Sequence, residues 1–330
     1  MSARGFARLQ IAALVIAGAL LLGLPWIVSL ATLVSFNVFV IFGILALSMA
    51  LVWGSAGIFS FGQSVFFGIG AYGYAVGALN MGESTLPIVL AVAASAASAA
   101  VLGYFMFFGR IGDLYLAVIT LTVSLLLYQF INSGMGGQLT IGDVQLGGYN
   151  GIPGVPPLNV PGDAGAQLGL VGMYLVSAVA LIVLYLGARA LVASPFGQTV
   201  VAIRENEMRA ELVGFDSRAY KLGVFVVGAA IAGFGGVLFA AWGGLVSPDV
   251  FSLAFGGQII IWTLAGGVGV LAGPIVGCFL IQWLTTWLGT KQITDTNIVL
   301  GVIFILFVLF IPSGILPAVR SLLVRSDARS

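Results

Sequence analysis

Long apolar runs alternate along this chain with short polar breaks, and the runs have the length of membrane-crossing helices. A helix needs about 20 apolar residues to cross a bilayer. Such runs lie near 9–29, 33–53, 58–80, 86–108, 114–133, 170–192 and 219–243. The stretch 255–289 is too long for one crossing and is interrupted at Ala272-Gly273-Pro274, so it divides into 256–271 and 274–289. A last run covers 297–317 and is closed by Pro312 and Pro317. The pattern predicts an all-α polytopic integral membrane protein of about ten spans, some broken by glycine, in a single transmembrane domain over 1–330.

Two polar stretches stand out. Residues 134–169 form a Gly- and Pro-rich loop without Lys or Arg, with an Asn-Gly turn signal at Asn150-Gly151. It reads as an ordered surface turn or as a dock or lid for a soluble partner. Residues 194–221 carry eight of the 23 charged residues of the chain. There Ser194-Pro195 reads as a helix start. Val201, Met208, Leu212 and Phe215 fall on one apolar stripe; Arg204, Glu207, Glu211 and Arg218 form a charged face; Gly214 is placed to end the helix. The expectation is one amphipathic helix at the membrane surface. Periodicity alone fits a helix on lipid headgroups as well as a protein dock, although the balanced charge disfavours anionic lipid.

Charge sets the orientation. Cytoplasmic loops carry excess Lys and Arg. Ten spans put Arg4, Arg8, Arg110, Arg189, the charged stretch and Arg320, Arg325 and Arg329 on one side. The other side receives Glu83, Asp143, Asp163, Asp249 and Asp295, with Lys291. Both termini and 194–218 are therefore expected in the cytoplasm, and 134–169 outside it. A cleaved signal peptide over the first 25 residues is disfavoured, because no small-residue cleavage site follows the apolar run.

Composition narrows the chemistry. The chain is 60% hydrophobic and 7% charged, with 12 basic and 11 acidic residues, which gives no sign of nucleic-acid binding. It has no histidine and one cysteine, Cys278, which removes Cys/His metal clusters, Ser-His or Cys-His catalysis and an internal disulfide. No span carries an ionisable residue near its middle, which argues against an ion-coupled secondary transporter. Asp113 beside Arg110 reads as a local ion pair at a helix end. No cofactor is expected on this chain.

The 47 glycines are concentrated. The third run has Gly54, Gly57, Gly62, Gly68, Gly70, Gly73 and Gly77 around Ser60, Gln63 and Ser64. The eighth has Gly256, Gly257, Gly266, Gly267, Gly269 and Gly273. Glycine permits unwinding, and interrupted spans in matching positions of two halves point to a transport site. A five-plus-five division would make these spans members of an inverted repeat, without a convincing residue match between halves. Close helix packing explains many of these glycines equally well. If the third span is broken, Ser60, Gln63 and Ser64 with a half-helix N-terminus would receive a substrate carboxylate or amide. The candidate pathway comprises Ser60, Gln63, Ser64, Phe67, Gly70, Gly266, Gly267 and Gly269; the neighbouring aromatics read more readily as packing.

Four segments carry a family resemblance: 57–72 (GIFSFGQSVFFGIGAY), 109–121 (GRIGDLYLAVITL), 202–240, and 247–277 (SPDVFSLAFGGQIIIWTLAGGVGVLAGPIVG). A looser one is 147–154, GGYNGIPG. Together they resemble the branched-chain amino acid, or hydrophobic amino acid uptake, ABC transporter permease family. The resemblance implies an EAA-type loop at Ala210-Glu211-Leu212-Val213-Gly214 that docks into a cytoplasmic ATPase, with Arg204, Glu205, Asn206, Glu207, Ala210, Glu211 and Gly214 as coupling residues. The chain has no GxxxxGK[ST] phosphate loop. The resemblance therefore implies that ATP and Mg are used by two separate ABC ATPases. It also implies a second homologous permease, an extracytoplasmic substrate-binding protein, and a bacterial inner membrane. Two departures matter: Val270 stands where relatives often have Thr or Ser, and Ile259-Ile260-Ile261-Trp262 is closer to the urea and short-chain amide branch. Branched-chain amino acids and urea or amides both stay open as substrates.

Overall fold

The computed structural model describes residues 15–133, 138–290, 301 and 314–318. The terminal arginines, Lys291, Asp295 and nearly all of the run 297–317 lie outside the described residues, as does the side chain of Asp113.

The described chain is mostly helical. Helix α1 (Val15–Trp26) ends in a 3-10 turn, Leu24–Trp26. Helix α2 (Leu30–Met49) starts at Ser29, whose hydroxyl accepts the Thr32 N–H, and runs without interruption into a π-turn, Ala50–Ser55. Then come α3 (Gln63–Met81), α4 (Thr85–Phe108), α5 (Asp113–Asn132) and α6 (Leu170–Ala193). The charged stretch holds α7 (Pro195–Glu205) and α8 (Glu207–Leu212). The last described helices are α9 (Ser217–Gly243), α10 (Leu253–Gly266) and α11 (Gly273–Thr290). Five are long and apolar enough to cross a membrane: Leu30–Ser55, Thr85–Phe108, Leu114–Asn132, Leu170–Ala193 and Ser217–Gly243.

The expected third span, 58–80, begins its helix only at Gln63; residues 57–62 are not helical. The run 255–289 is broken earlier than expected: the helix stops at Gly266 and resumes at Gly273, so the interruption is 267–272 and Gly273-Pro274 opens the second helix.

Helix α9 lies at the centre, packed on α3, α4 and α2. The fit depends on absent side chains. A Cβ added at Gly236 would fall on the Phe67 carbonyl, and one at Gly70 on the backbone of Gly233. In a bilayer, where lipid is as apolar as leucine, such small-residue crossings supply the packing that holds helices together. The outer helices α4, α5 and α6 keep large apolar side chains exposed, among them Phe105, Leu114, Leu126 and Val183. That is the surface a lipid-facing helix needs.

Residues 138–169, between α5 and α6, form short paired strands and turns. Strands β1 (Thr140–Ile141) and β2 (Val144–Gln145) pair as a hairpin, and so do β4 (Asn159–Val160) and β5 (Asp163–Gln167). Strand β3 (Ile152–Pro153) pairs antiparallel with β6 (Leu245–Val246), just after α9. Side chains on the helix ends hold the loop down: Tyr74 Oη donates to the Pro156 carbonyl at 3.0 Å, and Asn80 Nδ2 to the Ile141 carbonyl at 2.9 Å. The Ser84 N–H donates to Asn159 Oδ1 at 2.7 Å.

Gly236→Ala should cost about 1–3 kcal/mol, because the new methyl meets backbone that cannot move aside. Gly187→Ala, on the open face of α6 with nothing within 4 Å, should instead gain up to about 1 kcal/mol from helix propensity. The midpoint temperature for loss of the monodisperse peak in detergent should fall for the first and hold or rise for the second.

Candidate functional site

The charged stretch forms two helices where the sequence pattern predicts one. Ser194 Oγ accepts the Gly197 N–H at 3.2 Å and Pro195 opens α7, as expected. At Asn206 the backbone turns extended (φ −160°, ψ 98°), and Asn206 Oδ1 accepts the Arg209 N–H at 2.9 Å to start α8. Asn prefers capping to a helix interior, so it resets the helix there. Gly214, at φ 101°, follows the end of α8 as predicted. The reset displaces the expected apolar stripe. Val200, Ile203 and Ala210 are the buried residues, whereas Met208, Leu212 and Val213 are 73%, 82% and 78% exposed.

The carboxylates of α8 face inward. Lys221 Nζ donates to Glu207 Oε2 at 2.7 Å, and Ser217 Oγ donates to Glu211 Oε1 at 2.6 Å. Asp216 caps α9 and accepts from Arg218 Nε at 2.9 Å; the Arg218 guanidinium also lies 5.3 Å from the Phe108 ring centre. Glu207, Glu211, Ser217, Arg218 and Lys221, with Arg110 and Ile111, line a cavity of about 310 Å³ between α8, the start of α9 and the end of α4. Burial pushes the Glu207 carboxyl up. The hydrogen bond from Lys221 and the charges of Lys221 and Arg110 outweigh it, so the net direction is down.

Arg204 reaches back to the end of the π-turn of α2. One guanidinium nitrogen, Nη1, donates to the Gly54 carbonyl at the open end of α2, and Nη2 meets Glu205 Oε1 at 2.5 Å. Its stem crosses Gly57, where a Cβ would lie 2.7 Å from Arg204 Cγ. Gly57 has φ 74°, a conformation that also favours glycine.

Beyond Gly57 the chain stays unwound to Gly62. Its backbone groups are met by hydroxyls: the Phe61 N–H donates to Thr120 Oγ1 at 3.1 Å and the Gly62 N–H to Ser60 Oγ at 2.9 Å. The Ser64 and Ser124 hydroxyls are 3.1 Å apart and reach the Phe61 and Phe251 carbonyls at 2.9 and 2.8 Å. Ser48 Oγ donates to Gln63 Oε1 at 3.1 Å. Ser60, Gln63 and Ser64 are all buried, and Gln63 Nε2 has no hydrogen-bond partner among the described residues.

The interruption between α10 and α11 meets the π-turn before this one, and the start of α10 meets Phe61 and Ser64. A Cβ at Gly54 would fall on the Val268 carbonyl, and one at Gly256 would touch Phe61 and the Ser64 hydroxyl at 3.5 and 3.6 Å. Gly267 (φ 106°) makes the break. Gly266 lies against the Gly273 backbone in the α10–α11 crossing, while Gly269 is open. Phe67 is buried in an aromatic cluster with Phe42, Phe239 and Phe255. Of the pathway candidates, the fold thus gathers Ser60, Gln63, Ser64 and Gly267 around two broken helices. Gly70 and Gly266 sit in helix crossings and Phe67 in packing. Ser48, Thr120 and Ser124 were not anticipated; hydroxyls in apolar spans, two of them four residues apart on α5, are the signal that marks them. No group of three or more His, Cys, Asp or Glu that could hold a metal occurs among the described residues.

Long apolar helices, two glycine interruptions and two short helices between α6 and α9 are the architecture of a multi-pass membrane protein. The model of the branched-chain amino acid transport system permease component family matches residues 31–311, so the chain belongs to that family. The High-affinity branched-chain amino acid transport system permease protein LivM of Escherichia coli K12 is 30% identical over 152 residues, 45% of this chain and 35% of that protein. The Inner membrane ABC transporter permease protein YjfF of the same organism is 27% identical, over 45% of each chain. The Probable branched-chain amino acid transport permease protein LivM of Methanocaldococcus jannaschii is 27% identical, over 52% of this chain and 53% of that one. The likeness spans roughly a third to a half of these relatives. No solved structure matches.

The Glu207 carboxyl lies below its ordinary value of 4.5 in the folded chain, so its bond to Lys221 contributes fully above pH 4.5 and is lost as pH falls through the lowered value. The pair is half exposed on the Glu207 side and contributes about 1 kcal/mol or less. Lys221→Met should therefore lower hydrogen-exchange protection of residues 207–214 by up to about fivefold at pH 7. The wild-type chain should show the same loss, after correction for intrinsic exchange, only below pH 4.5.

Proposed function

We propose that this chain is the permease subunit of an ATP-binding-cassette importer that moves branched-chain or other hydrophobic amino acids across a bacterial inner membrane. In this reading the chain has about ten spans, with both termini and α7–α8 in the cytoplasm. It works beside a second homologous permease, two ABC ATPases that use ATP and Mg, and an extracytoplasmic binding protein that supplies most of the selectivity.

One observation carries the ATPase reading. Helix α8 is fastened to α9 through Glu207 and Glu211, yet presents Met208, Leu212 and Val213 to solvent. Apolar side chains held out on an anchored lever suit insertion into the groove of a soluble partner. Closure of the ATPase would push α8, and α9 would deliver the movement to α2, α3 and α4, on which it packs. The substrate would pass the start of α3. There Ser60, Gln63 and Ser64 offer neutral hydrogen-bonding groups beside a helix N-terminus, whose partial positive charge favours a carboxylate.

The neutral lining also supports a second reading, import of urea or short-chain amides, for which the unpaired Gln63 Nε2 is a donor to a carbonyl oxygen. Proteoliposomes of the assembled complex, offered labelled leucine or labelled urea, separate the two. Uptake abolished by an uncoupler at constant ATP would instead favour an ion-coupled carrier.

Glu207→Lys with Glu211→Lys acts first on this chain's own Lys221 and Ser217, so it is a poor test of docking. Met208→Glu with Leu212→Glu leaves those bonds intact. It should cut co-purification of the ATPase at least tenfold while the permease stays monodisperse; normal capture of the ATPase would sink the assignment. Gln63→Leu should lower leucine uptake about tenfold, the loss of roughly one hydrogen bond to substrate, and should cost about 1 kcal/mol of stability through the bond from Ser48, leaving the permease folded and monodisperse.

A further inference from the structure

Arg204 is the one coupling-segment residue that the structure turns into the membrane domain at a helix end. The carbonyl groups in the last turn of a helix lack intrahelical donors, and a cation there also meets the negative end of the helix dipole. Arg204 Nη1 takes the Gly54 carbonyl at the end of the π-turn of α2. Its stem lies over Gly57, and its side chain is only 33% exposed. The neighbouring backbone bonds are the Gly57 N–H to the Trp53 carbonyl at 3.0 Å and the Ile58 N–H to the Val52 carbonyl at 3.2 Å. π-turns recur at functional sites in helices. This one touches both interruptions: Gly54 lies against the Val268 carbonyl of the α10–α11 break, and the chain after Gly57 leads straight to Gln63.

We propose that Arg204 is a positioning residue. It ties α7 to the π-turn, carries movement of the coupling segment into both broken helices at once, and is not a contact for the ATPase. This deepens the importer reading and rests on it for the source of the movement. Helix α9 gives the lever its hold on the bundle, and Arg204 gives it a separate hold on the interruptions. Gly57 is part of the same device, since a larger residue there would displace the arginine stem.

The test has two arms. In the full chain alone, in nanodiscs, Arg204→Ala should raise exchange of the Gly57 and Ile58 amides at least fivefold, and Gly57→Val should do the same from the other side of the contact. Arg204→Lys, which keeps charge and stem, should recover at least half of the protection. Unchanged exchange in both disruptive variants would overturn the latch. In the complex with its ATPase, ATP with orthovanadate should alter exchange at 49–62 and 266–273 of the wild type. In Arg204→Ala the ATPase should still co-purify and residues 207–221 should still respond, while the response at those two stretches falls at least fivefold. An undiminished response there, or loss of the ATPase from Arg204→Ala, would overturn the proposal. A wild-type chain that captures no ATPase would sink the importer reading instead, a result the first arm keeps distinct.

Discussion

Backbone that leaves the helix inside an apolar layer must find its hydrogen bonds within the protein, and that constraint organises this fold. The chain leaves the helix in the stretch leading to Gln63 and again between Gly266 and Gly273. An amide buried without a partner costs about 1–3 kcal/mol by mutational measures and more in hydrocarbon. Helix α5 meets the need at the first interruption, with Thr120 receiving the Phe61 amide and Ser124 placed between Ser64 and the Phe251 carbonyl. The position of α5 and of the turn before α10 is thus tied to one unwound segment. The second interruption meets the π-turn that precedes the first, with Gly54 against the Val268 carbonyl, and the first meets the start of α10, with Phe61 and Ser64 against Gly256.

Glycine does two different jobs. At Gly57 and Gly267 it permits a positive φ and so allows the chain to turn. At Gly70, Gly236 and Gly277 it removes a side chain so that one backbone can lie on another. Sequence composition merges these roles, because both appear as a high glycine count in an apolar run. Only the backbone conformation and the neighbour across the crossing separate them. The central position of α9 comes from the second role. A helix gripped along its length by α2, α3 and α4 moves as a body, which is the property a transmission element needs.

Much of the architecture was legible because membrane spans are written locally. Apolar runs fell on the long described helices, and both interruptions lie in glycine-rich runs, the second at 267–272 instead of the expected Ala272-Gly273-Pro274. What escaped was set by partners distant in the chain. The expected single amphipathic helix failed at Asn206: an Asn followed by an acidic first turn is a start signal, and the apolar stripe was counted through it. The pairing of Ile152–Pro153 with Leu245–Val246 joins residues too far apart for any local pattern to show. Arg204 escaped for the same reason. Its charge and motif position were visible, but its target, Gly54, lies 150 residues earlier, so the direction of its side chain could not be read.

In the proposed importer, energy input and substrate choice make opposite demands on the chain, and the placement of charge is what would reconcile them. Charges cost most where water is absent, so a pathway for a neutral or zwitterionic solute is best lined with hydroxyls and amides, as around Ser60, Gln63 and Ser64. The charges collect instead on α8 and the start of α9, where Glu207 with Lys221 and Asp216 with Arg218 pair within the chain in partial contact with solvent. Something must still cross from the charged end to the neutral one. Arg204 suits that passage because a guanidinium remains ionised under all ordinary conditions and can satisfy a carbonyl while its apolar stem packs on glycine. A lysine would offer one rotatable ammonium in place of the planar fork, which is why an Arg-to-Lys exchange here is expected to preserve the link only in part.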